Sequence, residues 1–274
     1  MRRIGSSQLA FPDFSGATRR LILINLSTFF AGLLLSVING DQFGWLLKHL
    51  VFAPESFLHG WLWQPLTYSF IHMPGSILGT LLELLSLWFL AGFLESYHGE
   101  SWVLGLYGVS VLGTTAAGLL IYLAGVVLHI DITPVALYGC FGGIFGLLVA
   151  IGVAYGDTQF MMFPLPISIK ARYLAVIYGL LALAMLATEQ RMYAFAQLGG
   201  AAAGWLYVGT MPRRGLSFAL SEQWYGLRNR YYRWKRRRAA RKFEVYMKSQ
   251  GRTVRFDGQG RQIDNTPDDK SRWN

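Results

Sequence analysis

The sequence Tyr138-Gly139-Cys140-Phe141-Gly142-Gly143-Ile144-Phe145-Gly146-Leu147 is almost wholly apolar yet carries four glycines. Further on, Phe195-Ala196-Gln197-Leu198-Gly199-Gly200, with Gly204 beyond it, repeats that texture. Glycines four apart, as in Gly142/Gly146 and Gly200/Gly204, clear one stripe of a helix of side-chain bulk and let another backbone approach. Helices associate in this way in lipid, where burying apolar surface gives little advantage. The two segments are expected to be helices in contact, although the same glycines also fit the packing of any two membrane spans.

Outward from these segments the chain reads as a membrane protein. It has 274 residues, 53% hydrophobic and only 15% charged, against about 25% charged in a soluble domain. Six apolar runs approach the roughly 20 residues a helix needs to cross ~30 Å of hydrocarbon. They cover residues 21–38, 77–92, 103–127, 138–155, 173–187 and 194–210. The fold class is therefore an all-α polytopic bundle of six transmembrane helices. Residues 39–75 are too interrupted to span and too aromatic for a free linker, with Phe43, Trp45, Phe52, Trp61 and Trp63 among them. Short helices in the membrane interface suit them, because indole rings favour that layer. Arg2 and Arg3 precede a polar stretch without an apolar core, so no signal peptide is expected. A lone cysteine, Cys140, leaves no partner for an internal disulfide and no cysteine cluster for a metal.

The net charge of +10 is concentrated at one end: residues 212–274 hold 17 Lys/Arg against 6 Asp/Glu, and residues 1–211 hold 8 against 9. Three regions follow: a short N-terminal segment (1–18), a membrane domain (19–211) and a basic tail (212–274). With six spans, Arg19, Arg20, Lys170, Arg172 and the tail all fall on one side, which the excess of cations marks as cytoplasmic. The loop after the first span, and the one around His129 and Asp131, then face the periplasm or the exterior. A bacterial-type inner membrane is the expected location.

Four stretches in register resemble the rhomboid family of intramembrane serine proteases over about residues 18–211. Residues 138–147 are similar to its fourth-span G-x-S-G motif, and residues 195–204 to its sixth-span A-H-L-G-G-x-x-x-G. Trp63-Gln64-Pro65-Leu66-Thr67-Tyr68-Ser69-Phe70-Ile71-His72 resembles the segment leading into the second span, and Leu87-Trp88-Phe89 the motif near that span's end. The resemblance implies a serine on the fourth span activated by a histidine on the sixth. Here those positions are Phe141 and Gln197. A phenyl ring has no nucleophilic atom and a carboxamide is no useful base near neutral pH, so family-type proteolysis is not expected. The family's oxyanion-stabilising His and Asn fall on Gly79 and Glu83 when counted back from Trp88, or on Ile77 and Leu81 when counted forward from His72. A Glu83 carboxylate at that place would repel an oxyanion unless protonated. Gly139, Gly142, Gly143, Gly146, Gly199, Gly200 and Gly204 are expected to pack what was the site.

Other chemistry is sparse. Cys140 lies next to the nucleophile position, but one helical step of ~100° turns it away from Gln197. His49, His59, His72, His98 and His129 lie in loops or at span ends without ligand-like spacing, so neither a metal nor any other cofactor is expected. Glu83, an ionisable group within a span, needs a partner. Either it hydrogen-bonds Gln197 or Tyr138 in a former catalytic cavity, or it reaches water from near a span end. The tail alternates aromatics (Trp224, Tyr225, Tyr231, Tyr232, Trp234) with cations such as Arg236, Arg237, Arg238 and Lys242. An interfacial helix on anionic lipid or a cytosolic partner suits it, as does a plain topology signal; nucleic acid is not expected. Residues 249–274 are polar and expected to be disordered. The resemblance implies a pseudoprotease that binds transmembrane segments of client proteins. The alternatives are an active rhomboid-type endopeptidase working through displaced groups, and a transporter or scramblase, for which the spans hold few polar residues.

Overall fold

The computed structural model describes residues 12–129, 136–162, 167–187, 191–210, 215–251, 255–256 and 262–263. Its long apolar runs are helical: α1 (Gly16–Ile38), α5 (Ile77–His98) and α6 (Glu100–Leu128) are each long and apolar enough to cross a membrane. Between α1 and α5 lie α2 (Gly40–Leu50), α3 (Pro54–Leu58), α4 (Gln64–Thr67) and a 3₁₀ turn at Tyr68–Phe70. Then follow α7 (Phe141–Ala154), a hairpin of β1 (Gln159–Met162) and β2 (Ile167–Lys170), α8 (Ala171–Met185) and α9 (Arg191–Thr210). The chain forms two compact units, Met1–Ser217 and Phe218–Asn274.

Several boundaries differ from the hydropathy reading for local reasons. The second apolar run continues past residue 92 to His98, ending where Gly99 takes φ +83°, a conformation open chiefly to glycine. The fourth begins at Phe141 rather than Tyr138, because Gly139 at φ +81° reverses the chain just before it. Of the helices over the other three apolar runs, α7 and α8 fall below 18 residues, and α9 has the length of a span but not the apolar character of α1, α5 and α6.

Six helices alternate in direction. At one end Glu95 of α5 accepts the α1 amides of Ala17 and Thr18 at 2.9 and 2.8 Å, satisfying donors that a helix start leaves unpaired. Arg20 pairs with Glu100 at the start of α6. Tyr155, past the end of α7, meets His98 at 3.1 Å, and Tyr207 of α9 donates to the Trp102 carbonyl at 3.2 Å. Arg172, opening α8, pairs with Asp157 at this same end. Phe160 of β1 packs edge-on against Phe89 and Phe93.

At the other end the segment between α1 and α5 folds back over the bundle. Asn39 caps α2 through the Gln42 amide, Thr67 donates to the Leu50 carbonyl at 2.8 Å, and wholly buried Gln64 binds the Lys48 carbonyl and the Ala53 amide. The His49 ring stacks on Trp61 and lies tilted against Trp45. An isolated β-bridge joins Phe52 to Leu137.

The centre of the bundle is α6, α7 and α9, packed closer than side chains would allow. A Cβ added to Gly146 would overlap Ser110, one on Gly143 the Tyr107 ring, one on Gly199 Ala117, and one on Gly200 or Gly142 the Thr114 hydroxyl. A Cβ on Gly204 would lie 2.6 Å from Gly146 Cα.

The second unit contains most of α10 (Gly215–Ser249), which extends the tail helix beyond the aromatic–cationic stretch read from sequence. Trp224, Tyr225, Tyr231, Tyr232 and Trp234 are all exposed on it, and Arg228 and Arg238 lie over the Tyr225 and Trp234 rings. Most of the expected disorder over residues 249–274 falls outside the described residues; within them, β3 (Arg255–Phe256) pairs with β4 (Gln262–Ile263). The N-terminal segment up to residue 11 and Asp131 also lie outside them.

Candidate functional site

The polar centre of the bundle lies at the start of α7. Gly139 donates its amide to the Tyr68 and Ile71 carbonyls at 3.1 and 2.8 Å, which fastens the approach to α7 onto the end of the preceding segment. Cys140 is the N-cap, with no exposed surface, and Phe141 is the first helical residue, half-buried. Glu83 reaches this point from α5: Oε1 accepts the Cys140 amide at 2.5 Å, and the carboxylate also faces the Phe141 amide and the Cys140 thiol. A carboxylate at a helix start is well placed, since free amides and the helix dipole both favour negative charge there.

The count back from Trp88 is therefore the register that brings a polar group to this point. Glu83 is 6% exposed at the site, whereas Ile77 and Leu81, from the other count, are exposed. Gly79 is one turn nearer the helix start, against the Ser76 side chain. The sequence directs Glu83 towards Gln197 or Tyr138; the fold gives it Cys140. Gln197 is buried on α9 beside Tyr193, whose ring lies 6.4 Å from that of Tyr138.

His72 completes the cluster, contrary to the reading that left all five histidines scattered. Its side chain is 1% exposed, and Nε2 stands 3.6 Å from Glu83 Oε2. Among the described residues neither ring nitrogen has a hydrogen-bond partner. Burial drives the imidazole down to about 4, against a smaller opposing effect of the Phe70 backbone. The ring is neutral near pH 7. One ligand-type atom from each of His72, Glu83 and Cys140 lies within 4.8 Å of the other two. Sequence spacing hides this trio, because His72 precedes α5 and Cys140 precedes α7; contacts distant in sequence, the Gly139 and Phe52–Leu137 links among them, bring them together. Around them Tyr68 donates to the Val111 carbonyl at 3.1 Å, and burial raises its phenol above the ordinary tyrosine value.

A bundle of helices, three of them long and apolar enough to cross a membrane, around a small buried polar cluster defines an integral membrane protein. The chain belongs to the eukaryotic integral membrane protein family DUF1751, whose model matches residues 22–209. No curated protein matches it in sequence. A membrane location stands on the family and the apolar helices together; the family's description, being of eukaryotic proteins, gives no support to a bacterial-type membrane.

Proposed function

We propose that this protein is a non-proteolytic member of the rhomboid-like fold, crossing the membrane six times with both termini cytoplasmic, and that it holds transmembrane segments of client proteins. The observation carrying this reading is the state of the α7 start. The positions of nucleophile and base are a phenyl ring and a carboxamide, and the Cys140 amide is already occupied by the Glu83 carboxylate. An oxyanion forming there would meet a carboxylate where donors are required.

Client binding draws support from α8. Only Ala171 and Ala182 of this helix are buried, while Val176, Ile177, Leu180 and Leu181 are exposed. Both α5 and α8 pack on α7 but hardly on one another, and a partner helix could lie between them. Arg19, Arg20, Lys170 and Arg172 share one end of the bundle, which supports cytoplasmic termini.

The runner-up, a working endopeptidase, draws on the proximity of a thiol to an imidazole. Against it, Cys140 has no surface for a peptide carbonyl to approach. Incubating the wild type with a transmembrane rhomboid substrate, beside Phe141→Ser/Gln197→His and Cys140→Ala variants, separates the two. No cleavage by the wild type is expected; cleavage lost in Cys140→Ala would establish the thiol enzyme instead. For the client role, a photo-crosslinker at Leu180 is expected to capture membrane-protein helices well above one at lipid-facing Leu34. Equal capture from both positions would remove the groove from the account.

A further inference from the structure

We propose that His72, Glu83 and Cys140 form a site for one zinc-type divalent transition-metal ion at the start of α7. The donor set is of the right kind: thiolate, neutral imidazole and carboxylate are the three side-chain types that bind zinc. Its dimensions also fit. Two N/O donors about 2.0–2.2 Å from a tetrahedral ion stand roughly 3.3–3.6 Å apart. His72 Nε2 and Glu83 Oε2 are 3.6 Å apart, beyond a hydrogen bond but suited to a shared cation. The Cys140 sulfur lies within 4.8 Å of a ring nitrogen of His72 and of a carboxylate oxygen of Glu83.

The surroundings argue for a cation independently of the cysteine. The His72 ring is buried, and among the described residues neither nitrogen has a hydrogen bond of ordinary length; Nε2 faces the Glu83 carboxylate at 3.6 Å, an arrangement that a ligand between them would satisfy. Glu83 is held as metal-bound carboxylates are held: Oε1 is fixed by the Cys140 amide, leaving Oε2 directed at His72. A divalent ion with one thiolate, one carboxylate and one neutral imidazole carries no net charge, the form a low-dielectric interior tolerates. Binding balances as loss of the thiol proton, and of any carboxyl proton, to solvent as the ion enters. Three protein ligands leave the fourth tetrahedral position to water or a small ligand.

The full chain, in detergent with any affinity tag removed, should bind one equivalent of added Zn²⁺. With Co²⁺ as probe it should give a thiolate-to-metal charge-transfer band. Cys140→Ser should abolish that band. His72→Phe should weaken binding by at least the about tenfold that loss of a merely supporting residue costs. Zinc X-ray absorption on the wild type should show one sulfur at about 2.3 Å, and this decides the matter even where a variant fails to fold. Failure to bind, a coordination shell without sulfur, or unchanged affinity in well-folded variants would overturn the site. Each result is independent of client capture, since the crosslinking assay reads a different face.

Discussion

Glu83 sits on a helix apolar enough to cross a membrane and is 6% exposed, so its carboxylate is tolerated only through what it meets. What it meets is a helix start whose Cys140 amide has no intrahelical acceptor. Glu83→Ala would leave that amide buried and unpaired, at a cost of about 1–3 kcal/mol. Glu83→Gln keeps a carbonyl acceptor in place and should lose less. Thermal unfolding in detergent orders the three proteins: wild type highest, Gln intermediate, Ala lowest. If Ala and wild type unfold together, the carboxylate is not what secures α7. This residue also marks how far the sequence could be read. A partner for Glu83 is demanded by its being charged within a span, but two counts placed different residues at the site, and the count is settled by where α5 begins. His72 was harder still, since nothing in Ser69-Phe70-Ile71-His72 announces that backbone hydrogen bonds from Gly139 will draw this loop onto α7.

Among the elements, α6, α7 and α9 owe their closeness to glycine, and here sequence and structure speak directly to one another. Spacing of four predicts a bare stripe, and the stripe at Gly146, Gly200 and Gly204 is where the backbones meet. The segment before α5 is legible as short helices because its apolar runs are too broken to span, whereas its closure through the Phe52–Leu137 bridge depends on contacts distant in sequence. Not every glycine carries this duty: Gly108 of α6 has open space where a Cβ would go. Gly204→Ala, forced against the Gly146 backbone, should destabilise by about 1–3 kcal/mol through overpacking. Gly108→Ala should be neutral or stabilising by up to about 1 kcal/mol, as a helix interior prefers alanine. Matched melting curves test the pair; equal effects at both positions would mean that close approach is not what these glycines provide.

For the molecule as a whole the number of crossings turns on α7. Its 14 residues span about 21 Å at ~1.5 Å per residue, short of ~30 Å of hydrocarbon. A short helix with irregular flanks is unstable against lipid but not against protein, because buried flanks can satisfy their backbone groups there. That is the condition of α7, packed against α5, α6, α8 and α9, with Leu137, Gly139 and Cys140 before it all hydrogen-bonded. The proposed six crossings require Asp157 to be opposite His59 and on the same side as Asn229. A chain in which α7 entered and returned would put Asp157 with His59. The lone native cysteine is wholly buried, so cysteines introduced one at a time at His59, Asp157 and Asn229 can be labelled over a quiet background. In sealed vesicles of known orientation, an impermeant maleimide should reach Asp157→Cys and Asn229→Cys from the cytoplasmic face and His59→Cys from the other. Labelling of Asp157→Cys together with His59→Cys would remove α7 from the count of spans, and the parity of the remaining five would then separate the two termini across the membrane.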